Sequence, residues 1–362
     1  MLPVHFGKLF GNLSPFDVIL ICAFITDRRN IYKYIFSGNL EGLFKVSALI
    51  YLMLTCLSFV HILQFSNHFK YLFQYLFCIF VALPVFIFSF SPQRLNSIVS
   101  GIILGSFIAF TLVLLIYFEQ APKIIYKLFD LQTTGRVRVG LAGVNDYAIC
   151  LTAALTYITL GSGKSSPIKI VSILMLLILV GATGSRVGIV LALFVIFWSF
   201  GIRSWKFNIF SIVVITMILL KIKPENNPVF RIVKFGFNDA QRSDMTSRAL
   251  ALMEINPYGI GMGNYIDSIA GYPVHNFFVI NLLEQGLILG SIFLLPILLI
   301  FLSSAILSKS FGHFIFIFIH FAGFAVVTHA FDRFFWIIPA LGLSATLRKY
   351  PLFENSSGMK KL

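Results

Sequence analysis

Charged residues are scarce in this sequence, and acidic ones are the scarcest. Only 12% of the 362 residues are charged, 58% are hydrophobic, and Asp and Glu together number 14. A soluble domain carries roughly 25% charged residues, so this composition excludes a soluble globular fold. Intrinsic disorder is excluded too, because 41 phenylalanines are the opposite of its polar signature. The composition therefore predicts a membrane protein.

Cysteines and acidic clusters are few as well. The four cysteines all lie in apolar stretches and are predicted to be small apolar residues rather than disulfide or metal partners: Cys22, Cys56, Cys78 and Cys150. The loops expected on the outer side of the membrane hold no cluster of Asp and Glu suited to Mg²⁺. We therefore expect no metal ion and no cofactor.

Positive charge, by contrast, is in excess. The 28 Lys and Arg residues give a formal net charge of +14. They are dispersed between apolar segments and form no dense patch, so no nucleic acid partner is expected. Two explanations are left open: retention of loops on the cytoplasmic side, or a polyanionic ligand.

Long apolar segments predict an all-α, polytopic membrane protein. A helix that crosses a bilayer needs about 20 apolar residues, which gives about 11 transmembrane helices here, within a range of about 10–12. The segments lie near residues 15–26, 43–63, 69–91, 95–118, 141–161, 167–183, 186–201, 206–221, 276–304, 312–329 and 334–347. No fixed-period repeat and no pair of interrupted, transporter-like helices is visible. We expect residues 1–362 to form a single membrane domain.

The short connections indicate the orientation. With the C-terminus in the cytoplasm, the inner connections hold most of the basic residues of the short loops, including Arg28, Arg29 and Arg348. Two long basic segments, 119–140 and 222–275, then fall on the outer side. Long loops are largely exempt from the positive-inside rule, so their charge favours a polyanionic ligand.

The outer segment 222–275 contains a predicted helix and a glycine-rich turn. Between residues 244 and 255 an apolar stripe occurs at helical spacing, formed by Met245, Ala249, Leu252 and Met253. Such a helix could lie on the membrane surface or cover the helical bundle, and it should end before Pro257. Residues 257–265 are predicted to form a tight turn with positive φ rather than a nucleotide loop.

The next apolar segment opens with a candidate anion site. Asn276 is a plausible helix N-cap, which would put His275 at the positive end of a helix facing the outer side. A surface histidine without a function is the alternative. Glu284 lies farther along, where a buried acid is usually paired or functional. Gly286 and Gly290 form a small-xxx-small step that is expected to serve helix packing.

Two further basic positions carry a similar choice. Arg186 lies between two apolar helices with almost no loop, where it could reach toward the interface or bind a phosphate through its planar guanidinium. His329, Asp332 and Arg333 share one helical face at the outer end of the penultimate span. They could form an internal ion pair or line a ligand site.

Several of these motifs, taken in order, resemble the O-antigen ligase and O-antigen polymerase family of bacterial membrane glycosyltransferases. The string Ala182–Gly188 resembles the serine–arginine–glycine-like turn of the family, and Arg248 followed by Asn256–Gly261 resembles its large periplasmic loop. His275 with Gly286 is similar to its H-x10-G motif, followed by the helix that carries Glu284. Arg138 with Asn145 is similar to an arginine and an asparagine that precede its middle spans. The resemblance covers about residues 136–300.

The resemblance implies a GT-C-like fold in the bacterial inner membrane. It also implies a metal-independent, inverting transfer of glycan from undecaprenyl diphosphate to a glycan acceptor on the periplasmic face. A polymerase would join lipid-linked repeat units into a surface polysaccharide, and a ligase would move the finished polymer onto lipid A-core. Leu289 stands where a stricter motif has Gly, Thr or Tyr, and this favours the polymerase. A flippase of the same lipid is a third, less favoured hypothesis.

The resemblance and the charge pattern together assign candidate site residues. Arginines would bind the diphosphate and stabilise the negative charge that develops on it. His275 would either deprotonate the acceptor hydroxyl or bind a phosphate. The bilayer and a chain-length regulator are further candidate partners. The predicted catalytic residues are His275, Arg186 and Arg248, and the predicted substrate-binding residues are Arg138, Arg242, Asn276, His329 and Arg333.

Overall fold

A computed structural model describes residues 15–36, 65–89, 95–117, 144–161, 167–200, 240–262, 264–265, 274 and 276–307, with single residues elsewhere. All regular structure in this part of the chain is helical, which confirms the all-α class there. The helices are α1 (Pro15–Phe36), α2 (Phe65–Phe77), α3 (Leu83–Ser89), α4 (Leu95–Tyr117), α5 (Val144–Gly161), α6 (Pro167–Thr183), α7 (Arg186–Phe200), α8 (Ala240–Ile255), α9 (Phe277–Gln285) and α10 (Leu287–Leu307). A π-helical segment, Cys78–Ala82, joins α2 to α3.

The helices coincide with predicted apolar segments. The predicted spans 95–118, 167–183 and 186–201 differ from α4, α6 and α7 by at most one residue. Within the described ranges, one window, Leu72–Ser89, is long and apolar enough to cross a membrane, with a mean hydropathy of 2.2, and the other apolar helices are shorter. The total of about eleven spans stays a prediction. The predicted spans 43–63, 206–221, 312–329 and 334–347 lie outside the described residues, apart from single positions.

Helix α1 is longer than the apolar segment that predicted it. It continues to Phe36 through Asp27, Arg28 and Arg29, which the sequence analysis placed in a loop. Hydropathy falls at these charges, but no Gly or Pro between Phe16 and Phe36 interrupts the hydrogen-bonded backbone. The helix therefore extends beyond its apolar part.

The chain divides into two compact units. The first comprises Met1–Cys22, Ser91–Gly236 and Tyr350–Leu362, and contains α4 to α7. Within it α5 packs against α4, α6 and α7. Its core is built around one stripe of α5 at helical spacing, formed by Tyr147, Leu151, Leu155 and Ile158.

Helices α5 and α7 approach each other through small residues. A Cβ placed on Gly188 would lie 2.5 Å from the Cβ of Ala148. The Thr152 hydroxyl donates to the Ala148 carbonyl at 2.7 Å and reaches the Gly188 carbonyl at 3.4 Å. Small side chains of this kind let helix backbones come close in apolar surroundings, so the position of α7 on α5 depends on Gly188.

The second unit comprises Ala23–Phe90 and Phe237–Lys349, and in it α8 packs on α9. The predicted apolar stripe of α8 is confirmed: Ala249 is fully buried, and Met245, Leu252 and Met253 pack at the edge of the same cluster. The stripe faces protein, so this helix covers α9 rather than presenting the stripe to a membrane surface.

The predicted span 276–304 is not a continuous helix. Helix α9 ends at Gln285, Gly286 adopts φ 81° and ψ 167°, and α10 begins at Leu287. The break coincides with a close approach of residues 257–262, which we call the glycine loop. A Cβ on Gly286 would lie 2.6 Å from the Tyr258 carbonyl oxygen, and a Cβ on Gly259 would lie 2.6 Å from the Glu284 carbonyl oxygen. The sequence analysis missed the break because Gly286 follows the apolar pattern.

The glycine loop supplies the hydrogen bonds that a continuous helix would have made. The amides of Ile260 and Gly261 donate to the carbonyls of Leu283 and Glu284 at 3.2 and 2.7 Å. The Leu287 amide donates to the Pro257 carbonyl at 3.0 Å. The prediction of a tight turn is confirmed, with φ 92° at Gly259 and 89° at Gly261. The step from Gly286 to Gly290 serves packing only in part. Gly290 packs on the Asn281 carbonyl of α9, whereas Gly286 forms the break.

Replacing Gly259 or Gly286 by Ala should destabilise the protein. The positive φ values alone cost an L-residue about 1–3 kcal/mol, and each Cβ also meets backbone that cannot move aside. Gly101→Ala in α4 is the matched control, because no atom lies within 4 Å of its Cβ. It should be neutral or stabilise by about 0.5–1 kcal/mol. Thermal unfolding of the purified variants measures the difference, and equal unfolding midpoints for all three would contradict this account of the break.

Candidate functional site

A two-residue turn connects α6 to α7 and carries the first predicted arginine. Helix α6 ends at Thr183 and α7 begins at Arg186, as the sequence predicted. Gly184 adopts φ 61°, and its amide donates to the Gly181 carbonyl at 3.0 Å. The Ser185 amide donates to the Thr183 hydroxyl at 3.2 Å. The turn is therefore closed by its own hydrogen bonds.

Ser185 fastens this turn to α5. Its hydroxyl oxygen accepts from the Gly188 amide at 3.3 Å, which is the geometry of a helix N-cap. The same hydroxyl donates to the Asn145 Oδ1 atom at 2.9 Å. The structure thus joins two motifs that are forty residues apart in sequence, because Asn145 contacts Ser185, the residue before Arg186. The N-cap had a local sequence signal, a serine directly before the first helical residue, but the bond to Asn145 had none.

Arg186 occupies the first position of α7 and is partly exposed, whereas Thr183 and Ser185 are fully buried. The N-terminus of a helix carries partial positive charge, which disfavours a cation and favours an anion. The backbone of Arg186 is held at this positive end by the preceding turn. The arrangement suits a phosphate or another anion.

Arg248 lies on α8, in the second unit. Its Nη2 atom is 2.8 Å from Asp244 Oδ2, and the two side chains are 57% and 52% exposed. An ion pair this exposed contributes little stability, so the guanidinium is oriented at low cost and is available to an anion. Arg242 lies in the first turn of the same helix.

Tyr265 lies within the reach of the Arg248 charge. Burial raises the pKa of the Tyr265 phenol, and the positive charge of Arg248 opposes part of that rise. The phenol is therefore neutral near pH 7 and keeps its proton for donation to a ligand. The sequence analysis did not select this residue, because a tyrosine after a glycine-rich turn carries no specific signal.

Asn276 caps α9 as predicted. Its Oδ1 atom accepts from the amides of Phe278 and Val279 at 3.1 and 3.2 Å. This oxygen therefore has a structural use, whatever else the side chain contacts. His275, Arg138, His329, Arg333 and the loop 119–140 lie outside the described residues, so their assignments stay predictions.

A buried polar network follows the Asn276 cap along α9. The Asn281 Oδ1 atom accepts from the Tyr75 hydroxyl at 3.2 Å and from the side-chain Nε2 atom of Gln285 at 3.3 Å. Its Nδ2 atom donates to the Phe277 carbonyl at 2.8 Å. The ring of Phe293 packs edge-on against Tyr75, with ring centroids 4.8 Å apart. This network fixes α9 against α2 and α10 within the second unit.

The network has a weak sequence signal, of which only Glu284 was used for prediction. Asn281, Glu284 and Gln285 stand in an otherwise apolar segment, and all three are buried. Glu284 lies at the end of α9, beside the helix break. Polar side chains in such surroundings must find partners, and spacings of three and four residues place them on one helical side.

Comparison with protein-family models and with curated proteins finds no match. The described residues also contain no group of three or more His, Cys, Asp or Glu side chains that could hold a metal ion. Each unit thus carries its own group of candidate residues: Asn145, Ser185 and Arg186 in the first unit, and Arg248, Tyr265 and Asn276 in the second.

Ser185→Ala should destabilise the first unit by about 1–2 kcal/mol, because it removes a helix N-cap and the donor to Asn145. Ser291→Ala is the control: this exposed serine of α10 donates to the Leu287 carbonyl one turn back, so its loss should change stability by less than about 0.5 kcal/mol. Thermal unfolding compares the two. A Ser185 variant as stable as the Ser291 variant would show that the turn is held by other contacts.

Proposed function

We propose that this chain is a multi-pass glycosyltransferase of the bacterial inner membrane, with its C-terminus in the cytoplasm. It joins undecaprenyl-diphosphate-linked repeat units on the periplasmic face, as an O-antigen polymerase does. The observation that carries the proposal is the turn that holds Arg186 at the N-terminus of α7 by way of Ser185 and Asn145. The resemblance of the motifs in the region 136–300 supplies the substrate class.

The exposed apolar faces of the helices support a membrane location. In α10 an outward stripe recurs every three to seven residues, formed by Ile288, Ile292, Leu295 and Leu302. On the other side of that helix, Phe293 and Ile297 are buried. A soluble protein rarely leaves contiguous apolar surface of this extent in water, whereas a lipid-facing helix needs it.

The chemistry required of the site is the stabilisation of a leaving group. In an inverting transfer, an acceptor hydroxyl oxygen bonds to the anomeric carbon of the donor. The bond from that carbon to the diphosphate oxygen breaks, and the hydroxyl proton passes to a base. Negative charge grows on the diphosphate, where a fixed guanidinium at a helix N-terminus is most effective. We assign Arg186 this role, and the resemblance adds Arg248 together with His275 as the base or a phosphate ligand.

The helix break bears on the alternative of a flippase. Transporters use the free ends of interrupted helices to bind ions and substrates. Here the main-chain groups at the break are occupied by the glycine loop, since Ile260, Gly261 and Pro257 all bond to its two sides. The break is thus a closed structural joint, and this favours the enzyme over the transporter.

A gene deletion separates the polymerase from the ligase. If the chain is the polymerase, deletion should leave lipopolysaccharide whose core carries a single repeat unit. Lost capping, with polymer accumulating on the carrier lipid, would identify a ligase and contradict the polymerase. Complementation with Arg186→Ala, Arg248→Ala or His275→Ala should fail, since loss of one such donor costs about 10²–10³ in rate. Asp244→Asn is the control and should restore polymer, because it removes only the exposed partner of Arg248.

The transfer should need no divalent metal, because the arginines supply the positive charge. Purified protein in detergent is expected to convert lipid-linked repeat units into polymer at the same rate, within about twofold, in excess EDTA as in Mg²⁺. Loss of activity in EDTA that Mg²⁺ restores would contradict this mechanism.

A further inference from the structure

The hydroxyl group of Tyr265 is a buried polar group of the second unit. The side chain is fully buried, and within the part of the chain that the structure describes the hydroxyl has no hydrogen-bond partner. Buried polar groups are nearly always paired, and one that is not destabilises the folded state. Phenylalanine would fill the same space without that cost. Tyr147 shares this feature, so what distinguishes Tyr265 is its surroundings.

The backbone around Tyr265 is firmly held. The Asn264 amide donates to the Gly261 carbonyl at 3.3 Å, and its side-chain nitrogen donates to the Ile260 carbonyl at 2.8 Å. The Tyr265 ring lies in the same buried cluster as Ile280, Leu283 and Ala249, which is the neighbour of Arg248 in α8. The phenol is thus placed by the glycine loop on one side and by α8 on the other.

The neighbouring charge indicates which ligand such a hydroxyl would bind. The Arg248 guanidinium is close enough to Tyr265 to act on its ionisation. An arginine offers only donors, and a protonated phenol in apolar surroundings offers one more. A ligand that satisfies both must present acceptor oxygens with negative charge, as a phosphate group does.

We propose that Tyr265 and Arg248 form a phosphate-binding pair, in which the Tyr265 hydroxyl donates a hydrogen bond to an oxygen that Arg248 also binds. The inference rests on the proposed function for the identity of the ligand, the diphosphate of the lipid-linked donor. The exposed side of the guanidinium is where the phosphate enters. The phosphate displaces Asp244 from Arg248 at little cost, because the Asp244 carboxylate is itself more than half exposed to water.

The pairing predicts opposite effects on stability and on binding. Tyr265→Phe should unfold at the same temperature as the wild type or higher, because it removes an unpaired buried group. Its affinity for diphosphate should fall about tenfold to 100-fold, the usual effect of losing a hydrogen bond to a charged group. A tyrosine that serves only the fold would lose stability and leave the affinity unchanged.

Tyr147→Phe is the matched control. Tyr147 is also buried, its hydroxyl also lacks a partner among the described residues, and it lies in the core of the first unit. The same substitution there should raise or preserve the unfolding temperature without weakening diphosphate binding. Equal loss of affinity in both variants would show a general effect of removing a buried phenol and would overturn the proposal.

The experiment uses the full chain in detergent, titrated with inorganic pyrophosphate and separately with undecaprenyl diphosphate. The ligand-induced rise in unfolding temperature gives the affinity. Weaker binding of both probes by the Tyr265 variant supports the pair. Unchanged binding, or a wild-type protein that binds neither probe, overturns it. Glycosyl transfer is assayed separately: weaker binding in a protein without transferase activity upholds the phosphate pair and refutes the proposed function.

Discussion

The contact between Gly259 and Gly286 determines how the second unit is built. Each glycine has a positive φ and lies where a Cβ would strike the main chain of the other segment. Their approach brings the glycine loop against the break between α9 and α10, so that amides and carbonyls on both sides are paired. In an apolar chain an unpaired main-chain group is costly. The break therefore depends on the loop, which provides hydrogen-bond partners for main-chain groups on both of its sides.

This joint connects segments that carry candidate site residues. The glycine loop follows α8, which carries Arg248, and precedes Tyr265. The helix on the other side of the joint is capped by Asn276 and bonded to α2 through Tyr75 and Asn281. Asn276 therefore caps the first turn of the short helix α9, and the glycine loop bonds to the main chain of its last turn. Between these ends, the side chain of Asn281 bonds to Tyr75. Such a helix can hold the residues at its start in a fixed position.

In the first unit, side-chain hydrogen bonds rather than a contact between glycines hold the backbone beside a basic residue. There the turn after α6 is closed by Thr183 and Ser185, and Ser185 reaches across to Asn145. These hydrogen bonds hold the backbone just before Arg186 to α5 and α7. In both units a basic side chain stands beside a backbone fixed by short polar contacts, which is how a site reduces the cost of ordering a charged ligand.

Local sequence patterns predicted several helix ends, one N-cap and one buried stripe. The structure confirms three features that local patterns predicted: the ends of α6 and α7, the N-cap at Asn276 and the buried stripe of α8. The break at Gly286 could not be predicted, because it depends on a segment almost thirty residues earlier in the chain. The bond from Ser185 to Asn145 and the burial of Tyr265 are long-range consequences of packing as well, and hydropathy carries no information about them.

The central claim is that this chain transfers glycan from a lipid diphosphate. The most direct measurement incubates the purified full-length protein with undecaprenyl-diphosphate-linked repeat units and follows glycan length and released undecaprenyl diphosphate together. The account predicts longer lipid-linked glycans, with one undecaprenyl diphosphate released for each linkage formed. A folded protein that leaves the donor unchanged, or that releases the diphosphate without lengthening the glycan, would contradict it.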